Sequence, residues 1–242
     1  ATGIAIEGAS RAEAVAFRSG GRDHRIGCDT VFLHHGVVPN TQAARSVGVT
    51  HRWDAAQQCF SPVLDDWGAT DVEGVLIAGD GAGIGGETIA EITGRLAALR
   101  IAEDLGRLPV SERDAAARPL RRRHAREIAV RPFLDAAYPP FAEALAPADG
   151  TIVCRCEEVT AGAIRSYARL GCLGPNQAKA FGRAGMGPCQ GRYCGLTVTA
   201  LLAEANGRTP DETGHYRIRP PLKPVTLGEL ATMDEAGREA VE

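Results

Sequence analysis

The sequence predicts an α/β protein that ends in a small, α-rich module. Three observations carry this. An apolar run, Gly74–Ala78, ends at Gly79-Asp80 and passes through a glycine-rich turn into an amphipathic helix. The composition changes near residue 150, from alanine and arginine to cysteine and glycine. Beyond that change, four cysteines stand in two tight pairs. The 242 residues suffice for one large domain or two modest ones. Their 44% apolar and 24% charged residues are ordinary for a globular chain. A net charge of −3 gives no global attraction for nucleic acid or an anionic membrane. No apolar run approaches the roughly 18 residues that span a bilayer, and no signal peptide is evident. The 29 glycines exceed the usual ~7% share, so backbone is expected to pass close to something.

In chain order, Gly3–Ile6, Ala12–Arg18 and His24–Gly27 alternate as short strands, and Gly20-Gly21 supplies a hairpin turn. Thr30–Leu33 is a more continuous apolar run, expected as a strand buried on both faces. It ends in the loop Gly36-Val-Val-Pro39-Asn40. The run Gly74–Ala78 is expected as a second buried strand. The helix after it places Ile89, Ile92, Leu96 and Leu99 on one face, with Gly106 as its stop. A further helix, capped by Ser111 with Asp114, carries Arg118, Arg121, Arg122, Arg123 and Arg126, with Pro119 near its start and Pro132 near its end. Its arginines read as a solvated face or a docking surface. Pro139-Pro140 and the stretch to Gly150 read as a linker. Helices are expected over Thr160–Leu170, Pro175–Ala184 and Leu196–Asn206, then an extended Arg217–Pro224. With no initiator Met and a strand pattern from Thr2, the chain reads as the C-terminal part of a longer protein; a processed or trimmed terminus is the other reading.

Seven cysteines is an odd number, and most lie between 154 and 194, which favours metal binding over disulfides. Cys154-Arg-Cys156 ends a short strand and Cys189-Gln-Gly-Arg-Tyr-Cys194 precedes a helix. A 2Fe–2S cluster takes four thiolates and needs amide donors around its sulfurs. Gly185, Gly187 and Gly191 offer bare backbone for that, and the following helix start adds N–H groups. Structural zinc prefers Cys-x2–4-Cys knuckles, which Cys-x-Cys is not; zinc and plain core cysteines are the alternatives. Cys28, Cys59 and Cys172 read as small buried residues.

At Gly79-Asp80 a carboxylate arrives where α/β sheets bind ligands. It can accept hydrogen bonds from ribityl or ribose hydroxyls, while Gly81, Gly83 and Gly86 let a ligand approach the helix N-terminus. The other reading is that Asp80 caps the helix and the glycines only make the turn.

Cys154-Arg-Cys156-Glu-Glu-Val-Thr160, Gly174-Pro-Asn-Gln-Ala-Lys-Ala180 and Gly185-Met-Gly-Pro-Cys-Gln-Gly-Arg192 resemble the bacterioferritin-associated-ferredoxin-like 2Fe–2S domain. More closely, they resemble its form in the α subunits of dye-linked opine (octopine and nopaline) dehydrogenases, hydrogen cyanide synthase and D-hydroxyproline dehydrogenase. Leu33-His-His-Gly-Val-Val-Pro-Asn-Thr41, Gly79-Asp-Gly-Ala-Gly-Ile-Gly-Gly86 and Arg219-Pro-Pro-Leu-Lys-Pro224 resemble the same family, so the likeness covers nearly the whole chain. It implies the C-terminal portion of a two-dinucleotide-binding-domain flavoprotein. That portion would divide into a partial FAD/NAD(P)-binding domain over 1–110, a helical linker over 111–149, the 2Fe–2S domain over 150–208 and an extended tail over 209–242. The implied cofactors are a 2Fe–2S cluster on Cys154, Cys156, Cys189 and Cys194, and FAD at Gly79, Asp80, Gly81, Gly83 and Gly86. The FAD site is incomplete here, since no Gly-x-Gly-x-x-Gly follows an N-terminal strand. His34 and His35 could approach a flavin, although a structural role is usual for such a pair. The implied role is electron transfer in a dehydrogenase complex acting on C–N bonds, beside an FAD-containing catalytic β subunit. Its electron acceptor is unknown, no catalytic residue is expected in this chain, and the activity of the chain alone is expected to be nil. A non-catalytic scaffold, stabilised by nucleotide and metal, is the second reading. The expected location is the cytoplasm, with peripheral attachment to the inner membrane left open.

Overall fold

The computed structural model describes residues 1–34 and 36–239. His35, one of the two histidines singled out above, lies outside them. The chain divides into two compact units, residues 1–36 and 37–242.

The first unit is the expected meander. Strands β1 (Thr2–Glu7), β2 (Ala14–Ser19) and β3 (Arg22–Gly27) form an antiparallel sheet in that order. Gly20 and Gly21 both have positive φ, +57° and +75°, as a tight two-residue hairpin between twisted strands requires. Phe17 lies opposite His24 and stacks on it at 5.1 Å. Thr30–Leu33 corrects the expectation of a buried strand: it is irregular, and Phe32 is 94% exposed. No strand among the described residues lies beside it, and an apolar run without a ladder partner leaves its backbone groups to solvent.

The second unit opens with helix α1 (Gln42–Ser46) and the hairpin of β4 (His51–Asp54) and β5 (Cys59–Pro62). Gly74–Ala78 is also not a strand; one isolated bridge, Ala69 to Leu76, is all the pairing it makes. It leads into a single 3₁₀ turn, Gly79–Gly81, and then α2 (Glu87–Asp104). The predicted helix face holds: Ile89, Ile92 and Leu96 are buried. Gly106, at φ +65°, follows its end. Helix α3 (Val110–Ile128) has Pro109, not Ser111, as its N-cap residue, and Pro119 lies inside it. Ile92, Leu96 and Ala117 join the two helices, with Trp67, Leu99 and Leu120 packed around them. The indole of Trp67 lies between two guanidinium groups, Arg113 at 4.3 Å and Arg121 at 4.5 Å from the ring centre. Arg113 also pairs with Glu103 at 3.0 Å, so part of the arginine-rich helix serves the interior. Arg118, Arg122, Arg123 and Arg126 are exposed.

The expected helical linker over 111–149 takes in most of α3 and then two short helices, α4 (Arg131–Ala137) and α5 (Ala142–Leu145). The C-terminal module then pairs β6 (Ile152–Cys154) with β7 (Val159–Thr160) and gathers α6 (Ala161–Arg169), α7 (Pro175–Gly182), α8 (Gly195–Ala205) and α9 (Pro210–Thr213). Thr160 caps α6 through Oγ1, which accepts the Ala163 N–H at 3.2 Å. Thr209 and Glu212 form a reciprocal capping box on α9. The module core is Ile164, Val198, Leu201 and Leu202 with Cys154, Cys172 and Cys194, and it takes in Tyr216 and Ile218 from the region read as a tail. A last helix, α10 (Leu227–Glu239), follows. No helix among the described residues is long and apolar enough to cross a membrane.

Two substitutions test this core. Leu201 is fully buried, so Leu201→Ala should cost about 2–5 kcal/mol. Gly94 lies inside α2 with nothing near the position of an added Cβ, so Gly94→Ala should stabilise by roughly 0.5–1 kcal/mol. Chemical denaturation of both variants checks the pair of signs.

Candidate functional site

Strand β6 ends at Cys154, and the turn beyond it carries Cys156. The loop between α7 and α8 carries Cys189 and delivers Cys194 to the N-cap of α8. Folding brings the four together as two touching pairs. Cys156 lies beside Cys189 and Cys154 beside Cys194, each thiol close enough to its neighbour to shift its titration. Cys154 and Cys194 are buried, Cys189 is half-buried and Cys156 is exposed.

Backbone donors surround these sulfurs. Gly185 N–H points at Cys154 Sγ from 3.4 Å. Burial would raise the pKa of Cys189. Hydrogen bonds from Tyr193 N–H, the Cys156 thiol and the Gly191 and Arg192 N–H groups outweigh that and lower it. Cys156 moves the other way: the Cys189 backbone favours its thiolate, but its hydrogen bond to the Cys189 thiol and desolvation prevail. Burial, then the neighbouring Cys154, push Cys194 up.

The glycines of the loop are required by contact. A Cβ on Gly187 would sit 2.1 Å from Cys156 Cβ. Gly185 (φ +83°) and Gly191 (φ +78°) press on Tyr216, with 2.5 and 2.6 Å available to a Cβ. The Tyr216 hydroxyl donates to Ala184 C=O at 2.8 Å. Four thiols, backbone donors and a close-fitting glycine loop thus lie together in one place. Among the described residues no group of three or more His, Cys, Asp or Glu is arranged to hold a metal ion. Cys172 is fully buried in the core, apart from the two pairs, and its C=O accepts from Asn206 Nδ2 at 3.0 Å.

At the glycine–aspartate turn, Gly79 has φ +67° and donates its N–H to Thr93 Oγ1 at 2.9 Å. A Cβ there would contact Ala90 Cβ at 3.5 Å, so the turn lies directly on α2. Gly81 lies near Ile77 and the Asn40 carbonyl. Gly86 is the N-cap of α2. Asp80 therefore does not cap the helix; its side chain is exposed. Gly83 has φ +151° and open space around it. His34 accepts the Gly36 N–H through Nδ1 at 3.4 Å within the first unit.

Sequence reasoning missed Tyr216, Thr93 and Arg45. Arg45 lies on α1 over the ring of Phe60, 5.0 Å from its centre, beside a cavity of about 290 Å³. Nothing in the sequence marks a lone arginine in a short helix.

The L-proline dehydrogenase from P. horikoshii matches 94% of this chain and 44% of its own, at a TM-score of 0.70 and 20% identity. This chain thus shares the fold of the matched portion of that dehydrogenase, a mixed helix and sheet arrangement that ends in a small helical module. Residues 149–234 match the sarcosine oxidase A3 domain family. The opine oxidase A-type subunit of Rhizobium meliloti (strain 1021) is 47% identical over 232 residues, 96% of this chain and 50% of that protein. Hydrogen cyanide synthase subunit HcnB of Pseudomonas aeruginosa is 33% identical over 217 residues, 86% of this chain and 44% of that protein. The chain belongs to the family of these opine oxidase and hydrogen cyanide synthase subunits, and it spans about half their length.

The fit at Gly187 gives a test. Gly187→Ala should force Cys156 or the loop aside and cost about 1–3 kcal/mol, an ordinary overpacking penalty. The melting temperature should fall and alkylation of Cys156 should change in rate. An unaltered melting temperature would mean that the loop has room to spare.

Proposed function

We propose that this chain is the electron-relay portion of one subunit in a flavin-dependent dehydrogenase complex acting on C–N bonds of opine or amino-acid type. The observation that carries the reading is the meeting of Cys154, Cys156, Cys189 and Cys194 in two contacting pairs under backbone donors. A 2Fe–2S cluster bound there would supply one-electron transfer. Two irons share four thiolates two by two, so three side chains need not converge on one ion as they would at a structural zinc. The arrangement favours the cluster over zinc on that ground. The chain's part is to supply the thiolates, to offset their charge with N–H groups, and to expose the Cys156 edge.

FAD would lie over the turn at Gly79, Asp80, Gly81, Gly83 and Gly86. The uncommitted Asp80 carboxylate would take ribityl or ribose hydroxyls there, and Gly79 holds the turn against α2. The names of the relatives are those of subunits, which supports a hetero-oligomer in which a separate flavin-bearing subunit oxidises the substrate.

Protein purified without oxygen should be brown and carry about two iron and two sulfide per chain. Cys156→Ser and Cys189→Ser should lose the colour, and Cys172→Ala should keep it. Stoichiometric zinc without acid-labile sulfide, or a cluster unaltered by either serine variant, would refute the assignment. A chain with neither flavin nor cluster bands that bleach with substrate would instead be a scaffold.

The flavin site has its own test. In the complete subunit, Asp80→Ala should weaken FAD retention about tenfold to a hundredfold, the effect of losing a charged hydrogen bond of roughly 1.5–3 kcal/mol. Unchanged retention, measured by flavin release on dilution, would move FAD away from this turn.

A further inference from the structure

The cavity beside α1 is lined by Arg45, Arg192, Asn40, Gln42, Thr199 and His215 among others, and no carboxylate of the described residues faces it. Two cations therefore share a recess with amide and hydroxyl groups, without an anion of the protein to balance them. Arg192 has a partner, since Nη1 donates to Leu222 C=O at 2.8 Å. Arg45 is different. Its Nε is buried and has no hydrogen-bond partner. Among the described residues no carboxylate lies within ion-pair distance of it, and burial lowers its pKa to about 10. The Phe60 ring beneath it attracts the charge through its face but cannot accept the in-plane N–H groups.

A guanidinium taken partly out of water and left unpaired is unfavourable, and proteins normally pair such groups. The neighbouring imidazoles do not serve as counter-charges. His215, whose pKa burial and then Arg45 lower to about 4, is neutral at physiological pH. His51 is lowered too, mainly by burial; its Nδ1 hydrogen-bonds Val49 C=O at 2.7 Å, and its buried Nε2 has no partner. So the two buried side-chain atoms that lack partners among the described residues, Arg45 Nε and His51 Nε2, belong to one cluster at the edge of one cavity.

From this geometry we infer that the cavity is a binding site for a small anion, a carboxylate or phosphate group that docks on the Arg45 fork. The planar guanidinium offers two parallel N–H donors to such a group. Asn40 and Arg192 add further donors around it, and Phe60 and His215 form the walls. The recess suits a small molecule or the anionic end of a larger one. The inference is independent of whether the four thiols hold a cluster.

Calorimetric titration of the full chain in low-chloride buffer tests it, with inorganic phosphate in one arm and succinate in the other. Saturable one-to-one binding below millimolar in at least one arm is expected. The preferred arm shows whether the group is a phosphate or a carboxylate. Arg45→Gln should weaken binding at least tenfold. Because that variant also removes a packed side chain, Gln42→Glu provides a second test. Gln42 and Arg45 are three residues apart on α1, so the introduced carboxylate would pair with the guanidinium and displace the ligand while the helix stays intact. Arg45→Lys, which keeps the charge, should retain binding within about tenfold. No saturable binding in either arm, or binding unchanged in both Arg45→Gln and Gln42→Glu, would overturn the site.

Discussion

The thiol site depends on one side chain, Tyr216. Its ring occupies the space that Cβ atoms on Gly185 and Gly191 would need, and it lies within 3.4 Å of where one on Gly195 would be. Its hydroxyl is tied to Ala184 C=O, and Lys179 Nζ stands 4.9 Å from its ring centre. The loop that carries Cys189 and Cys194 is thus closed over an aromatic plate and meets Cys154 and Cys156 only because that plate fixes its height. Burial first, and then the nearby thiols Cys194 and Cys154, push the tyrosine pKa up, so it remains a neutral donor beside them. An ionised phenolate in that place would repel thiolates; a smaller group would let the loop collapse.

The elements legible in the sequence are those whose information is local. Helix α2 shows its apolar face at Ile89, Ile92 and Leu96, and the Gly20-Gly21 hairpin declares its own turn. The cysteine pairs are also legible, because their spacing in a glycine-rich frame is itself chemical information. Thr30–Leu33 and Gly74–Ala78 mislead for the opposite reason. A strand is a property of two segments, and an apolar run says nothing about whether its neighbour is present. Tyr216 and Arg45 are invisible because each matters through partners distant in sequence. Tyr216 presses on glycines more than twenty residues upstream, and Arg45 reaches Phe60 across a hairpin.

The arginines divide by the same logic. Arg113 and Arg121 are held on Trp67 and paired with Glu103 and Asp66, so their charge serves packing. Arg118, Arg122, Arg123 and Arg126 on the same helix stay exposed and are available for contact with another chain. Arg45 belongs to neither group. It is half-buried without a carboxylate, and its position is favourable only if an anion comes from outside the chain's own described residues.

A related balance applies to the cationic groups around the thiol module. Lys179, Arg217 and Arg219 line one open recess with Gly185, Met186 and Gln190 of the thiol loop. Burial lowers the Lys179 pKa, Arg219 lowers it further, and Cys194 opposes both. Three cations gathered on one side of a module repel one another when nothing negative lies between them. With four neutral thiols that repulsion would be uncompensated. Four thiolates around a 2Fe–2S cluster, the state proposed for this site, would place the missing negative charge against the recess. The cations would then stabilise the cluster's charge together with the backbone N–H groups. The same positive rim would stand beside the exposed Cys156 edge, so the groups that hold the charge in place also shape what can approach it.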